Sequence, residues 1–340
     1  MIPKLLSVIF LCLQVRRQKA HHFNDGIGIS LPAFLVFNGE QMIHHLLYMP
    51  AILPHFQVLP RGIVFHYVCL KGTKIGIFAD MCFYIGIDVS RAQHIKLKKK
   101  EKKISDLPFN LHQPMASGFD HPLWPVLKPM DGGADFMPTL MHWEFIPSYI
   151  RTTESLLHFR KGGFNPKTGK KDFPHNTLNA IGEEVLHKPT YKEAALKRRC
   201  LVLASGFYEW RHFTPPGGKD TAYPYYVTLQ EKEYFFMAGI YNPWVDQESG
   251  EVVDSFAILT TAANPLMEQV HNKKKRMPVI LPNAEAAEWL EENLDPERIQ
   301  TLASFQLPSN EMETHTIRKD FRLIEEPREP FAYDELPALV

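Results

Sequence analysis

Glu209 stands between two aromatic residues, Tyr208 and Trp210, shortly after an apolar run at residues 200–204. A carboxylic acid at the end of a buried strand loses hydration, which raises its pKa towards the range of a general acid. The same pattern also fits a glutamate on an edge strand that points to solvent. Glu209 is therefore a candidate proton donor, and the pattern alone leaves both interpretations open.

A histidine followed by a dense cationic loop and an apolar run forms a second candidate. His271 can carry protons because histidine titrates near neutral pH. The loop holds Lys273, Lys274, Lys275 and Arg276, which can bind phosphate groups, arginine through two parallel bonds. A charged loop that only faces solvent is the competing interpretation.

Asn179 opens a third segment, residues 179–183. Its amide could bind a carbonyl or sugar oxygen of a ligand. It could equally cap a helix together with Glu183. Taken alone, the segment favours the capping role.

Composition and charge limit the class of protein. The chain has 340 residues, of which 45% are hydrophobic and 22% charged, as is typical of one or two globular domains. The net charge is zero, yet residues 82–283 carry 26 basic and 21 acidic side chains, whereas residues 284–340 carry 5 and 14. A basic middle part can bind nucleic acid on one face. No apolar run reaches the roughly 18 residues that cross a bilayer, so we expect no membrane association.

The cysteines contain no C-x-x-C pair and have no histidine at zinc-finger spacing. This pattern predicts neither a zinc site nor a disulfide scaffold, and we expect no metal and no cofactor. It fits a reducing cytoplasm. The residues concerned are Cys12, Cys69, Cys82 and Cys200.

The composition changes sharply near Met81. Residues 1–80 hold 7 basic and 3 acidic residues, and prolines interrupt their apolar clusters without a helical or strand period. We interpret residues 1–80 as an extension outside the native fold, either from a mis-assigned start or removed later. Residues 82–335 are then the functional domain.

Strand patterns predominate after Met81, and they predict an α+β fold with a curved, mainly antiparallel β core and a few peripheral helices. The lysine-rich residues 96–103 are interpreted as a solvated helix face or loop, and residues 163–171 as a turn. Strands are predicted at residues 200–204, 223–229, 234–241 and 252–261, and helices at residues 190–199 and 284–293.

In this order, the segments resemble the SRAP family, the SOS-response-associated peptidases, which are also called abasic-site processing proteins. The family pattern runs M-C, W-G-x-[IV]-P, N-A-R-x-E, R-C-[LI]-[IV]-P-A-x-G-F-Y-E-W and H-x-R-M-P-x-[IV]-L. The resemblance covers nearly all of residues 81–320, and the G-F-Y-E-W and R-M-P-V-I-L segments are highly specific together. The counterparts here are residues 81–82, 143–147, 179–183, 199–210 and 271–281.

The resemblance implies a covalent reaction with DNA. Removal of Met81 frees the α-amine of Cys82, which condenses with the aldehyde of an abasic site in single-stranded DNA, first as a Schiff base and then as a thiazolidine. An α-amine with a pKa near 7.7 is largely nucleophilic at cellular pH, unlike a lysine at about 10.4. In this scheme Glu209 moves protons, His271 assists sugar-ring opening or reversal, and Asn179 orients the cysteine or the sugar.

The chain departs from the family pattern at several positions, which affects how DNA is held. Ile181 replaces an arginine, and two extra residues separate His271 from Arg276. We expect Lys273, Lys274 and Lys275 to replace the missing phosphate contact, with Arg276 and Trp143 as further DNA contacts. The other departures are Phe83 and Tyr84 after the cysteine, and Glu144 in place of a glycine.

Two other classes of function stay open. Cys82, His271 and Glu209 could form an N-terminal-nucleophile cysteine peptidase that acts on other substrates. The domain could also bind single-stranded DNA without a covalent step. The expectation that the family resemblance favours is a monomeric abasic-site processing enzyme with autopeptidase and lyase-type activity, in the cytoplasm near the nucleoid.

Overall fold

The computed structural model describes residues 83–166 and 168–340, and before them only the backbone of one hairpin. In that hairpin β1 (Phe56–Leu59) pairs antiparallel with β2 (Gly62–Phe65). The chain divides into two compact units, Met1–Ile77 and Phe78–Val340. Apart from the hairpin backbone, the predictions for residues 1–80 and for Cys82 lie outside the described residues.

The second unit is mainly β. Its strands are β3 (Tyr84–Asp88), β4 (His94–Leu97), β5 (Lys100–Lys103), β6 (His112–Ser117), β7 (Leu123–Met130), β8 (Asp135–Trp143), β9 (Gly163–Asn165), β10 (Lys170–Asp172), β11 (Asn179–Ile181), β12 (Arg199–Ala204), β13 (Gly206–Phe213), β14 (Thr221–Leu229), β15 (Phe235–Val245), β16 (Val252–Ala262), β17 (Arg276–Pro278), β18 (Ile280–Leu281) and β19 (Met312–Thr316).

Short helices lie between these strands. None of the described helices is long and apolar enough to cross a membrane. The α-helices are α1 (Thr153–Lys161), α2 (Pro189–Lys197), α3 (Pro265–Val270), α4 (Asn283–Trp289) and α5 (Pro296–Ala303). Single 3-10 turns occur at Ile104–Asp106, Gly118–Asp120, Asp131–Gly133, Gly182–Glu184, Ser309–Glu311 and Phe321–Leu323.

Five strands close into a ring. From β16 the antiparallel neighbours follow in the order β15, β12, β7 and β8, and β8 returns to pair in parallel with β16. A closed ring leaves no free edge among these strands. Every residue of β12 is buried, because β7 and β15 pair with its two edges and α2, α4 and β3 also contact it. Large side chains fill the core, among them Trp124, Trp143, Phe256 and Trp289.

A second sheet has the strand order β19-β14-β13-β3-β6. Only Ser205 separates β12 from β13, so the chain passes directly from the ring into this sheet. Helix α3 contacts both β13 and β17, and β17 pairs with β16 of the ring. The junction of the two sheets therefore brings the ends of β13 and α3 together.

The predicted α+β fold with a mainly antiparallel core is confirmed, and β12, β14, β15 and β16 lie within a few residues of the predicted strands. The interpretation of residues 96–103 as a helix face or loop is wrong. They belong to the β4–β5 hairpin, in which Ile95 and Leu97 are buried and Lys98 turns the chain with φ of +50°. Buried and exposed residues alternate in a strand with a period of two. The lysines on the outer face obscured this alternation in the sequence.

Candidate active site

Glu209 lies on β13 opposite Tyr225 of β14 and is only 3% exposed. Its Oε1 atom has no hydrogen-bond partner among the described residues. Burial raises the pKa of Glu209, although the nearby His271 and the backbone N–H of Trp210 oppose that rise. A buried acid of this kind keeps its proton to higher pH and can donate it to a reacting group.

His271 follows the last residue of α3 and is 5% exposed. Asn264 caps the start of this helix by accepting a hydrogen bond from the backbone N–H of Met267, 2.9 Å away. The backbone N–H of His271 donates to the Met267 carbonyl at 2.7 Å, so the helix sets the position of the histidine. Its Nε2 atom lies 4.0 Å from Oε2 of Glu209.

The carbonyl oxygen of Arg276 sets the tautomer of His271. It lies 2.9 Å from Nδ1, and a carbonyl can only accept a hydrogen bond, so Nδ1 carries a proton. In the neutral ring Nε2 is then the proton acceptor, and this atom faces Glu209. The two groups are too far apart for a direct hydrogen bond. A proton acceptor and a buried acid can therefore both reach one atom placed between them.

Arg276, predicted as a DNA contact, binds protein groups instead. Its guanidinium donates to both carboxylate oxygens of Glu183 at 2.8 and 2.7 Å, and to the carbonyl oxygen of Thr260 at 2.6 Å. Burial alone would raise the pKa of Glu183, but the bonds from Arg276 and from backbone N–H groups keep it below its usual value. These bonds hold the loop whose carbonyl orients His271.

Asn179 lies at the start of β11, which runs parallel to β16 with Asn179 opposite Ile258. On its other edge, β16 pairs with β17, which begins with Arg276. Strands β11 and β17 therefore lie on opposite sides of β16. Gly182 follows β11 and fits only without a side chain, because a Cβ atom there would lie 1.7 Å from the carbonyl oxygen of Ala303. This close approach sets the path of the chain between Asn179 and Glu183.

Trp143, also predicted as a DNA contact, is a core residue in this structure, with 0% of its surface exposed. Its ring stacks on Phe256 with centroids 6.5 Å apart, and its indole N–H donates to the Leu178 carbonyl at 3.0 Å. A base cannot stack on a ring that has no exposed face. Trp143 instead supports the residue immediately before Asn179.

The three lysines of the loop are exposed to solvent. The Nζ atom of Lys273 lies 2.8 Å from Asp220, and that of Lys275 lies 3.6 Å from Glu268. Exposed pairs of this kind are weak and exchange readily with other anions. Lys273, Lys274 and Lys275 can therefore reach a phosphate backbone.

Asn272 was not singled out from the sequence, although it stands inside the segment that was. Its side chain accepts a hydrogen bond from the backbone N–H of His212 at 2.9 Å and donates to the carbonyl of the same residue at 2.7 Å. His212 is three residues beyond Glu209 on β13. Asn272 thus fastens the residue next to His271 onto the strand that carries Glu209.

The described chain begins beside this pair. Cys82 itself lies outside the described residues, but Phe83 is buried and packs on Phe119, with ring centroids 4.6 Å apart. Strand β3 then pairs antiparallel with β13, with Tyr84 opposite Tyr208. This register, continued by one residue, brings Phe83 alongside Glu209.

Comparison with known proteins identifies the family. The profile of the family described as SOS response associated peptidase (SRAP) matches residues 124–322. The abasic site processing protein YoqW of Bacillus subtilis is 32% identical over 173 residues, which cover 47% of this chain and 74% of that protein. The abasic site processing protein HMCES of Gallus gallus is 31% identical over 178 residues, covering 45% and 51%. A crystal structure of a protein from Bacteroides thetaiotaomicron matches with a TM-score of 0.57 at 28% identity, over 73% of this chain and 97% of that one. The chain belongs to the SRAP family.

Proposed function

We propose that this protein captures abasic sites in single-stranded DNA through a covalent bond to Cys82. Family membership supports abasic-site processing as the general activity, since relatives in bacteria and vertebrates carry that name. The observation that carries the proposal is the buried Glu209 carboxyl group, 4.0 Å from His271, on the strand β13 that pairs with β3 at Tyr84. Two peptide units separate Cys82 from Tyr84, so their Cα atoms lie within about 7.6 Å.

The reaction needs a free α-amine on Cys82. The amine nitrogen attacks the aldehyde carbon of the opened sugar, and the resulting hydroxyl leaves as water to give a Schiff base. The thiol then adds across the C=N bond, with sulfur bonding to carbon and its proton passing to nitrogen. Protonated Glu209 would supply the proton that the departing water takes, because its raised pKa keeps that proton available. His271 would accept the sugar hydroxyl proton during ring opening, and Asn179 would orient the sugar.

A peptide bond to residue 81 removes this amine, and so all residues before Cys82 must be absent from the active form. We propose that residues 1–80 do not belong to the active domain. The division of the chain between Ile77 and Phe78 supports a domain that folds without them. Autoproteolysis next to Cys82 would use the same residues, since hydrolysis of that bond also needs a proton donor and acceptor there.

The test is capture of a single-stranded oligonucleotide with one abasic site. A chain that begins at Met81, from which the initiator is removed, should give an adduct that survives denaturation and has the mass of protein plus DNA minus one water. Cys82→Ala should give none, His271→Gln and Glu209→Gln should form it slowly, and duplex DNA should react poorly. Adduct formation at an undiminished rate by Cys82→Ala would show that another amine is the nucleophile. Hydrolysis of a supplied peptide without DNA capture would favour the peptidase, and reversible salt-sensitive binding alone a non-covalent module.

A further inference from the structure

The β9–β10 hairpin presents two phenylalanines to solvent on one face. Lys171 lies directly opposite Phe164 in the register, and directly opposed residues share a face of an antiparallel pair. Phe173 is the first residue after β10 and the second after Lys171, so continuing the alternation of the strand by one residue assigns it to the same face. Phe164 is 70% exposed and Phe173 74% exposed.

The opposite face fastens the hairpin to the domain. Asp172 accepts a hydrogen bond from Asn165 at 2.8 Å and lies 2.9 Å from Nε2 of His158 on α1. Helix α1 is fixed in turn by Arg160, whose Nε donates to both oxygens of the buried Glu144 at 3.1 and 2.9 Å. The hairpin is therefore held in place by its polar face, with its aromatic face turned outwards.

The aromatic face carries a cation. Lys171 is exposed on it, opposite Phe164, and no acidic side chain among the described residues lies within 4.0 Å of its amine. The acid of the hairpin, Asp172, is on the other face and engaged with His158. Aromatic rings beside unpaired cations fit single-stranded nucleic acid, because bases stack on the rings while the cations hold phosphates.

We propose that Phe164 and Phe173 form a platform on which bases flanking the abasic site stack, with Lys171 holding the phosphate between them. The proposal rests on the proposed function, since it assigns a binding surface to the same DNA. Asn179 is the sixth residue after Phe173, so even a fully extended chain places the platform within about 20 Å of Asn179. The exposed bases of a single strand can use this surface, whereas the paired and stacked bases of a duplex cannot.

The test measures equilibrium binding of an undamaged single-stranded oligonucleotide, in which no covalent step can occur. The double variant F164A/F173A should bind about 10- to 100-fold more weakly, because it removes stacking at two positions. F164Y/F173Y should keep the wild-type affinity, since tyrosine also stacks. Leu323→Ala is the matched control, because Leu323 is 88% exposed in the turn at Phe321–Leu323 and its removal should leave the affinity unchanged. Lys171→Gln should flatten the log–log salt slope by about 0.7.

An unchanged affinity in F164A/F173A, with an unchanged melting temperature, overturns the platform. So does a change in sedimentation alone, because the face would then join two copies of the chain. The outcome is separable from that of the proposed function. If undamaged DNA binding depends on the two phenylalanines while no adduct forms with abasic DNA, the platform stands and covalent capture fails. If the adduct forms but the affinity for undamaged DNA does not depend on the two phenylalanines, covalent capture stands and the platform fails.

Discussion

The Nε2 atom of His271 and the Oε2 atom of Glu209 face each other at 4.0 Å, and both side chains are almost completely buried. They come from different parts of the fold, one from the end of α3 and the other from β13. Burial favours the neutral, protonated form of the Glu209 carboxyl group. The pair is thus suited to give a proton from Glu209 and to take one up at Nε2 of His271 within a single reaction.

We predict that Glu209→Gln makes the protein slower but more stable. The acid has a raised pKa in the folded state, so at pH values below its ordinary pKa of 4.5 it is neutral in both the folded and the unfolded state, and the change has little effect. As pH rises through the raised folded pKa, wild type loses stability because the unfolded chain ionises freely. The melting temperature of the variant should therefore exceed that of wild type by an amount that grows with pH above 4.5. Adduct formation should slow by about 100-fold or more.

The matched change Glu313→Gln, on β19 at an exposed position, should not alter the pH dependence of melting. A Glu209→Gln variant that melts below wild type at pH 8 would contradict the assignment. It would mean that the ionised carboxylate makes stabilising bonds in the folded protein.

We predict that Arg276→Gln leaves the salt dependence of DNA binding unchanged. Removing one side chain that binds a phosphate of single-stranded DNA flattens the log–log slope by about 0.7, but this guanidinium is bonded to Glu183 and Thr260. The absence of those bonds should instead lower the free energy of unfolding. We expect a loss of only about 1–2 kcal/mol, because Arg276 and Glu183 are partly exposed to solvent. Binding isotherms at several salt concentrations, together with chemical denaturation, measure both effects. A flatter slope at full stability would restore Arg276 as a DNA-binding residue.

Much of the fold could be predicted because burial has a local signature. The apolar run of β12 corresponds to a strand that is buried along its whole length. The aromatic neighbours of Glu209 left burial and exposure both open, and the structure shows that it is buried. The same signature failed at residues 96–103, where lysines on the outer face hid the buried Ile95 and Leu97. The period of the apolar residues indicates which face of an element is buried. A strongly charged outer face can hide that period.

Partners distant along the chain could not be predicted. Arg276 and Glu183 are 93 residues apart, and each alone has a pattern that fits a ligand contact or a cap. Trp143 was expected at the DNA surface, since a tryptophan in a family motif suits either a core or an interface. The hydrogen bond to Leu178 and the stacking on Phe256 depend on how β8 and β16 meet, which no local pattern records.

We predict that neutralising Lys273, Lys274 and Lys275 together weakens encounter with DNA but not the chemical step. The triple change removes up to three cations that bind phosphates, so the log–log salt slope should flatten by up to about 2. The maximal adduct rate at saturating DNA should change little, because Glu209 and His271 remain. Cross-linking rates against DNA concentration at two salt levels separate the two effects.

Asp220→Asn is the converse variant for this loop, because it removes the acid 2.8 Å from Lys273. It should strengthen DNA binding modestly at low salt. If the triple lysine variant keeps the wild-type salt slope, the loop only faces solvent, and the extra residues between His271 and Arg276 have no part in DNA recognition.

We predict that Asn272→Ala slows adduct formation through the position of His271. Both polar groups of this side chain bond the backbone of His212, which ties the end of α3 to the strand of Glu209. Removing two solvent-exposed hydrogen bonds should cost about 1 kcal/mol of stability. Freedom of the loop would widen the separation between His271 and Glu209 in part of the population, so the maximal rate should fall by about tenfold, equivalent to about 1.4 kcal/mol in the barrier. The affinity for undamaged DNA should stay unchanged.

Asn283→Ala is a close control for the effect of the missing bonds alone. Asn283 accepts from the backbone N–H of Lys98 at 2.6 Å and donates to the carbonyl of Lys96 at 2.9 Å, the same kind of bridge at a different place in the fold. Both variants should lose similar stability, since each lacks two exposed hydrogen bonds. Only Asn272→Ala should slow adduct formation, measured in single-turnover reactions at saturating DNA. Equal slowing by both changes would show that rate follows overall stability, and that the bridge from Asn272 to His212 has no positioning role.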